Sequence, residues 1–200
     1  IELGPYGYLP TDPPRLADEL AGRGLQLSAG TCFAALHHAD SWQRTWAHVR
    51  KVASLTAALG ARHLVVIPEM WRDQATGREL EDRQLSRPAW AALATGLNRL
   101  ATALWRDFGL RLQFHPHADS HIDTQPRVER LLEMTDPEVV TLCLDTGHIA
   151  YCGGDNAELI REYPDRIGYL HLKQVDPAVL DDVRREDLAF GPAVRRGVMC

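Results

Sequence analysis

Three apolar segments of the sequence each end on a side chain that can bind a metal ion. These side chains are His115, Asp145 and His171. Two imidazoles and one carboxylate suit Mn²⁺, Fe²⁺, Co²⁺ or Zn²⁺ better than Mg²⁺ or Ca²⁺, which prefer oxygen ligands. If the three segments are neighbouring strands, their ends meet. The sequence then predicts a site for one divalent metal (Mn, Co, Fe or Zn).

Short apolar runs alternate with amphipathic helical stretches along the whole chain. The runs predict five strands, at 25–30, 64–67, 110–114, 139–144 and 167–172. A helix is predicted between each pair and no hairpin turn signal separates them, which is typical of a parallel sheet with right-handed βαβ crossovers. A barrel and a doubly wound sheet share this pattern. No glycine-rich motif follows the first strand, which weakens the nucleotide-binding form of the doubly wound sheet.

Capping and stop signals predict the helices. They begin at or near Pro14, Ser41, Pro88, Thr124 and Asp155. Serine, threonine and aspartate accept hydrogen bonds from the first free amides of a helix, and proline fits its first turn. The second and third helices are expected to end at Gly60 and Gly109, because glycine readily takes the left-handed conformation that follows a helix.

The carboxyl ends of parallel strands meet at one edge of a sheet, about 5 Å apart on neighbouring strands. His115, Asp145 and His171 could therefore reach one centre. A single histidine at a strand end is more often a hydrogen-bonded structural residue, and a single aspartate there often caps the next turn. Recurrence at the same level on three consecutive strands favours metal binding over these separate roles.

Two further polar residues near this edge are catalytic candidates. His148 lies one short turn past Asp145 and could hydrogen-bond a substrate hydroxyl, or orient a metal ligand. Lys173 points the same way as His171 and could stabilise an enolate or move a proton, or be a solvated charge at the rim. Both are predicted to be catalytic.

Substrate-binding residues are predicted on the connections that follow the strands. Glu69 ends its strand after Pro68 and could face the pocket, although a capping or surface role fits equally well. His117 and Asp119 lie in the loop after the strand at 110–114 and could line the mouth of the site. Solvated loop positions are the alternative for both.

The bulk composition narrows the class of protein. The chain has 200 residues, 45% of them hydrophobic, and a formal net charge of -5 with no basic stripe, which argues against a nucleic-acid partner. No apolar run is long enough to span a membrane, and no signal-peptide pattern is visible. The four cysteines form no CxxC pair and are expected to be reduced thiols in a cytoplasmic protein.

Several segments resemble the xylose isomerase-like TIM barrel superfamily, and within it the inosose dehydratase branch of the sugar isomerase and epimerase group. The segments are residues 1–10 (IELGPYGYLP), 114–117 (FHPH), 144–148 (LDTGH) and 169–173 (YLHLK). The resemblance covers nearly the whole chain. It implies one α/β domain at 1–200, a (β/α)₈ TIM barrel that is incomplete in this chain. Residues 1–4 would be the tail of the second strand, so the first and last strands would be missing.

The resemblance also implies which residues bind the metal and the substrate. Asp145 and His171 match the family's metal ligands. At the preceding strand many relatives carry a glutamate, whereas this chain has His115. The family's fourth ligand is a glutamate on the eighth strand, beyond the residues of this chain, and it is the expected base. Glu2, in the opening segment, is expected to contact the substrate.

The implied activity is that of a metal-dependent lyase or isomerase that removes a proton next to a ketone of a polyhydroxylated substrate. Dehydration of an inosose is the first expectation, with His148 or Lys173 protonating the departing hydroxyl. The alternatives are a ketose 3-epimerase, an aldose–ketose isomerase, or a non-catalytic barrel that binds a sugar. The expected partner is a small sugar or cyclitol, and pairing into a homo-oligomer is left open.

Overall fold

Five parallel strands form one sheet in chain order, from β1 at one side to β5 at the other. The structure is a computed structural model, and it describes residues 1–199. The strands are β1 (Ala29–Ala34), β2 (His63–Pro68), β3 (Arg111–Phe114), β4 (Val140–Asp145) and β5 (Ile167–His171). This order places the carboxyl ends of β3, β4 and β5 side by side, as the sequence predicted.

Helices connect the strands and follow β5. They are α1 (Pro13–Ala21), α2 (Trp42–Ala58), α3 (Arg87–Phe108), α4 (Gln125–Met134), α5 (Thr146–Tyr151), α6 (Asn156–Glu162), α7 (Pro177–Arg185) and α8 (Phe190–Arg195). A short 3₁₀ turn, Pro164–Arg166, leads into β5. Two of the predicted caps are present: Asp155 accepts hydrogen bonds from two amides of α6, and Gly109 ends α3 in the left-handed conformation. Ser41 and Thr124 precede α2 and α4 as predicted, but neither side chain caps its helix, and Ser41 has helical backbone angles.

The prediction of the first strand was wrong, because the strand runs at 29–34 and not at 25–30. The sequence argument treated Gly30 as the end of the strand. A Cβ atom at Gly30 would lie 2.1 Å from the Thr56 Oγ1 atom of α2. Glycine is therefore needed here for close packing of helix on strand, and the strand continues through it.

Three helices, α5, α7 and α8, were not predicted. α5 and α8 have six residues each and α7 has nine, so none offers a long apolar repeat. α7 and α8 pack together around Leu180, Val183, Ala193 and Val198, a small core separate from the main one. The end of the chain therefore contains ordered helices where the sequence indicated none.

The main core lies between the sheet and the helices α2, α3 and α4. Leu64, Leu112 and Leu142 of three successive strands are fully buried in it. α3 contributes its apolar face, including Leu97 and Leu104. Burial of this kind is the dominant favourable contribution to folding, and it fixes the strands that carry the candidate site.

The opening residues extend the sheet beyond β1. Glu2 forms a parallel bridge with Ala29, and the Leu3 amide donates a 3.1 Å hydrogen bond to the Ala29 carbonyl. Across the sheet, the Tyr169 hydroxyl of β5 donates a 2.7 Å hydrogen bond to Ser28 Oγ. The sheet therefore curves like part of a barrel wall, with its first and last strands linked through inward side chains.

The barrel is not closed in residues 1–199, as the sequence predicted. β5 pairs with β4 alone among the described strands, and the outward side chain of Leu170 is 51% exposed. Cys32, Cys143 and Cys152 are free thiols, whereas Cys200 lies outside the described residues. None of the described helices combines the length and the apolar character that crossing a membrane requires.

Candidate metal centre

The three predicted metal ligands lie at the carboxyl edge of neighbouring strands. Asp145 is the last residue of β4 and is paired in register with His171, the last residue of β5. His115 comes directly after β3, and its amide donates a 2.9 Å hydrogen bond to the Val66 carbonyl of β2. Backbone pairing therefore fixes the positions from which all three side chains project.

One oxygen of Asp145 is the point where these side chains meet. Asp145 Oδ2 lies 3.3 Å from His115 Nε2 and 3.2 Å from His171 Nδ1. The ammonium group of Lys173 contacts the same oxygen. The side chain of Asp145 is completely buried, whereas that of Lys173 is 40% exposed. The structure thus brings together four of the residues that the sequence singled out.

The other oxygen of Asp145 is used by the backbone. Asp145 Oδ1 accepts 3.0 Å hydrogen bonds from the amides of Gly147 and His148, at the start of α5. The carboxylate therefore caps a helix with one oxygen and faces the candidate site with the other. The capping role and the metal-binding role, which the sequence argument set against each other, are compatible.

The charges of this cluster are strongly coupled. Burial by itself would raise the pKa of Asp145, but hydrogen bonds from His115 and His171 and the nearby Lys173 outweigh it and keep that pKa far below its usual range. The same hydrogen bond to Asp145, together with those to Cys143 and Glu2, raises the pKa of His171 to about 12. Asp145 is therefore a carboxylate that attracts positive charge to one point.

Glu2 orients the outer nitrogen of His171. His171 Nε2 lies 2.5 Å from Glu2 Oε1, and the Thr31 hydroxyl donates a 3.0 Å hydrogen bond to Glu2 Oε2. A carboxylate bonded to the far nitrogen of a metal-ligating histidine is a common arrangement, because it fixes the ring and increases its basicity. The predicted substrate contact of Glu2 stays a prediction, and the contact seen here is with His171.

His148 is a neutral imidazole beside the cluster. Its Nδ1 accepts a 3.1 Å hydrogen bond from the Ala118 amide, so the ring proton of the neutral form is on Nε2. Burial, and then the nearby His117, keep the pKa of His148 far below its usual range. The ring centre of His148 lies 5.2 Å from that of His115. His148 can therefore donate a hydrogen bond from Nε2 at neutral pH.

His117 and the unpredicted Phe190 form an aromatic wall on the other side of His148. The ring centres of His117 and His148 are 3.9 Å apart, and those of Phe190 and His148 are 4.7 Å apart. Burial lowers the pKa of His117 to about 4, so its ring is also neutral. Phe190 begins α8, a helix without a clear sequence signal, and for this reason sequence reasoning missed it.

Asp119 and Glu69 lie away from this cluster. Asp119 accepts a 2.7 Å hydrogen bond from Arg72 Nε with one oxygen and another of 2.7 Å from the Phe190 amide with the other. It therefore connects the loops after β2 and β3 to α8. Glu69 is exposed, and no ion pair to its carboxylate is found within residues 1–199. Their predicted roles in substrate binding stay predictions.

The side chains fit a divalent metal by their chemistry. His115, Asp145 and His148 offer ligand atoms that all lie within 4.8 Å of one another, as do His115, Cys143 and His171, and the predicted set of His115, Asp145 and His171 shares two members with each. His115 Nδ1 is buried and has no hydrogen-bond partner among the described residues. Buried imidazole nitrogens are normally satisfied, so the centre has unused coordination capacity. The cluster contains the nitrogen and oxygen donors that Mn²⁺, Fe²⁺, Co²⁺ and Zn²⁺ use in proteins.

Comparison with known proteins assigns this chain to a family. A model of the family described as xylose isomerase-like TIM barrel matches residues 2–195 of the chain. The chain belongs to this family. The resemblance expected from the sequence is therefore confirmed, and so is the predicted class of parallel α/β barrel.

The chain is 34% identical to the inosose dehydratase of Geobacillus kaustophilus (strain HTA426) over 213 residues, which cover 98% of the chain and 68% of that protein. Among solved structures, it is similar to the probable 3-DHS dehydratase AsbF of Bacillus anthracis, which is involved in petrobactin synthesis. The TM-score is 0.69 and the identity 16%, over 93% of the chain and 64% of AsbF. The prediction of a dehydratase-like enzyme agrees with the inosose dehydratase, whereas the likeness to AsbF shows the fold alone.

A third relative was crystallised with a metal. The structure of the IOLI protein with a bound zinc atom matches with a TM-score of 0.62 and 13% identity, over 80% of the chain and 57% of IOLI. At this identity the likeness shows the fold alone. The chain spans 68% of the length of the inosose dehydratase, 64% of AsbF and 57% of IOLI.

Proposed function

We propose that this chain catalyses the metal-dependent dehydration of an inosose, a polyhydroxylated cyclic ketone. The observation that carries the proposal is the convergence of His115, His171 and Lys173 on the buried Oδ2 of Asp145. This cluster combines metal-binding donors and a cationic acid at one point. The chain that carries it is similar to inosose dehydratases along nearly its whole length.

His115, Asp145 and His171 would hold the metal. A bound divalent metal would polarise the substrate ketone and stabilise the negative charge that develops when a base removes the α-proton. The family resemblance assigns that base to the eighth-strand glutamate and not to a residue of this chain. Glu2 orients His171 through a hydrogen bond to its ring. The backbone amides of Gly147 and His148 hold the carboxylate of Asp145 in place. The ligands are therefore oriented before the substrate arrives, which reduces the reorganisation that the reaction requires.

His148 would bind a substrate hydroxyl as a neutral donor. Its Nδ1 is engaged by the Ala118 amide, so Nε2–H is the group available to the substrate. Because burial keeps its pKa low, the ring does not compete with the metal as a second positive charge. His117 and Phe190 pack against the ring and hold its plane in place. These contacts favour a role in orienting the leaving hydroxyl.

Lys173 would supply the proton to that hydroxyl. Its ammonium group contacts Asp145 and is partly exposed, so it borders both the metal ligands and solvent. Dehydration breaks the bond between carbon and the β-hydroxyl, and transfer of a proton from Lys173 to this oxygen lets it leave as water. A positioned acid of this kind typically contributes about 10²- to 10⁴-fold to the rate.

The test combines metal content with turnover. Purified protein that includes the eighth-strand glutamate is analysed for metal by elemental analysis and then assayed with inososes and with a panel of ketoses. We expect about one Mn, Fe, Co or Zn per chain at this centre, lost in His171→Ala, and water elimination from the inosose. Lys173→Met is expected to keep the metal and lose about 10²- to 10⁴-fold in kcat, as expected for a lost acid.

His48→Ala is the matched control, because His48 is an exposed histidine on α2. It should change neither metal content nor turnover. If the protein holds its metal but only epimerises or isomerises the ketoses, epimerisation or isomerisation is its activity and dehydration is not. Protein that gains no metal at this centre on incubation with all four ions would contradict the proposal.

A further inference from the structure

Three side chains outside the centre described above meet in the loops that follow β1, β2 and β3. His37 lies three residues after β1, Glu81 lies in the long connection between β2 and α3, and His121 lies in the loop after β3. The three connections leave the sheet at the same carboxyl edge. The sequence argument left His37 and Glu81 without a role.

The three side chains converge on one carboxylate oxygen. Glu81 Oε2 lies 2.9 Å from His37 Nε2 and 3.2 Å from His121 Nε2. One ligand atom from each residue can be chosen so that all three lie within 4.8 Å of one another. Donor atoms about 2.0–2.2 Å from a common metal lie about 3 Å from each other, so these separations suit a shared ion.

Both ring nitrogens of His121 face hydrogen-bond acceptors. His121 Nδ1 lies 3.4 Å from the Arg83 carbonyl, which can only accept a hydrogen bond. His121 Nε2 faces the Glu81 Oε2 atom, which is also an acceptor, and a neutral ring has one N–H, so one of the two ring nitrogens presents its lone pair to an acceptor. Two acceptors that face each other repel unless a cation lies between them.

Burial separates the two imidazoles from solvent. The side chains of His37 and His121 are only 3% and 2% exposed. The Arg83 guanidinium does not compete for Glu81, since it lies 3.1 Å from Asp123.

A third histidine holds the carboxylate of Glu81 in place. His38 Nε2 lies 3.0 Å from Glu81 Oε1, the oxygen that the other two histidines do not use. The side chain of Glu81 is 35% exposed, so the cluster opens to solvent on this side. This combination gives an oriented carboxylate, two buried imidazoles and a path by which an ion can enter.

We propose that His37, Glu81 and His121 form a second site for a divalent first-row metal such as Zn²⁺ or Co²⁺. Two imidazoles and one carboxylate favour these ions over Mg²⁺ and Ca²⁺. The ion would tie together the loops that follow β1, β2 and β3, and its remaining coordination positions face solvent beside Glu81. The site shares no residue with the centre of His115, Asp145 and His171, and it does not rest on the proposed activity.

The test counts Co²⁺ by its visible absorption in metal-free protein, with Zn²⁺ displacement as a second readout. His171→Ala removes a ligand of the first centre and provides the background. In that background we expect one Co²⁺ per chain at this site. His121→Ala added to it should abolish that binding, whereas His48→Ala, the exposed control, should keep it. Zn²⁺ should raise the Tm of the background protein but not that of the variant without His121.

Glu81→Gln tests the site without replacing a buried histidine, a change that could itself unfold the protein. It keeps the shape and the hydrogen-bonding ability of a half-exposed side chain, and it is expected to weaken Co²⁺ binding at least about tenfold, because it removes the only charged ligand. Equal Co²⁺ binding in the background protein and in its Glu81→Gln form would overturn the proposal. Binding that is lost with His121→Ala but unchanged by His171→Ala in the wild type would support this site and contradict the first centre.

Discussion

The side chains of Glu2 and His171 meet with 2.5 Å between Oε1 and Nε2, although 169 positions separate them in the chain. Glu2 lies at the bridge that extends the sheet beyond β1, and His171 closes β5. Their contact exists because the sheet curves and brings its two sides together over the barrel interior. Glu2 thereby becomes a positioning residue for a candidate metal ligand.

Glu2→Gln is predicted to weaken metal binding at the first centre by about 10- to 100-fold, the usual cost of losing a carboxylate behind a ligating histidine. Affinity is measured by competition with a chromogenic chelator. Glu19→Gln makes the same change at an exposed position and should leave affinity unchanged. If the two variants bind metal equally well, Glu2 does not orient His171 for metal binding.

Asp145→Asn is predicted to weaken metal binding by more than about 100-fold, since it neutralises a ligand and not merely its support. Asparagine retains an oxygen that can cap α5, whereas alanine does not. Asp145→Ala should therefore be less stable than Asp145→Asn by about 1 kcal/mol in urea unfolding of the metal-free protein.

Asp155 provides the matched pair for Asp145. It caps α6 with the same geometry, accepting from Ala157 and Glu158 amides at 2.8 and 3.1 Å. Asp155→Ala should likewise be less stable than Asp155→Asn by about 1 kcal/mol. Neither variant should alter metal affinity. A loss of metal binding in Asp155→Ala equal to that in Asp145→Asn would mean that helix capping, not ligation, explains the effect.

His63 is predicted to make the protein less stable in mild acid. Burial, and then the charge of Arg111, lower the pKa of His63 in the folded state. His63 Nδ1 also faces Gln113 Nε2, an amide donor, at 3.0 Å, so it must accept. The folded protein therefore binds fewer protons here than the unfolded chain. The contribution to stability is present above pH about 6.5 and is lost as the pH falls below it.

His63→Asn tests this sign, because its amide oxygen can accept the same hydrogen bond without titrating near neutrality. Urea midpoints are measured at pH 7.5 and pH 5. The wild type should lose more stability than the variant over this interval, and His48→Asn at an exposed position should behave like the wild type. An identical loss in wild type and His63→Asn would refute the assignment.

Leu97→Ala is predicted to lower the free energy of unfolding by about 2–5 kcal/mol. Leu97 is fully buried on the face of α3 that packs against the sheet, so its removal loses apolar burial and leaves a cavity. Leu80→Ala is the control, because this leucine is 49% exposed. It should change stability by less than about 0.5 kcal/mol. Similar losses in both variants would contradict the assignment of the core.

Local patterns in the sequence determined the order of the helices and strands and placed the candidate site at the carboxyl ends of the strands. The apolar runs before His115 and Asp145 predicted two strand ends, because a buried parallel strand needs a continuous apolar segment. Stop signals such as Gly109 marked the ends of helices, because few other residues adopt a left-handed conformation without strain. The resemblance carried by residues 144–148 and 169–173 gave the family, which the comparisons confirm.

The tertiary structure alone decided which distant side chains meet. Nothing local in the sequence connects Glu2 with His171, or His37 with Glu81 and His121, since these contacts depend on the curvature of the sheet and the paths of its loops. The start of β1 was mispredicted for a related reason. Glycine is required at position 30 by the close packing of α2 and not by a turn. Periodicity reports which face of an element is buried, whereas contacts between elements depend on how those faces assemble in three dimensions.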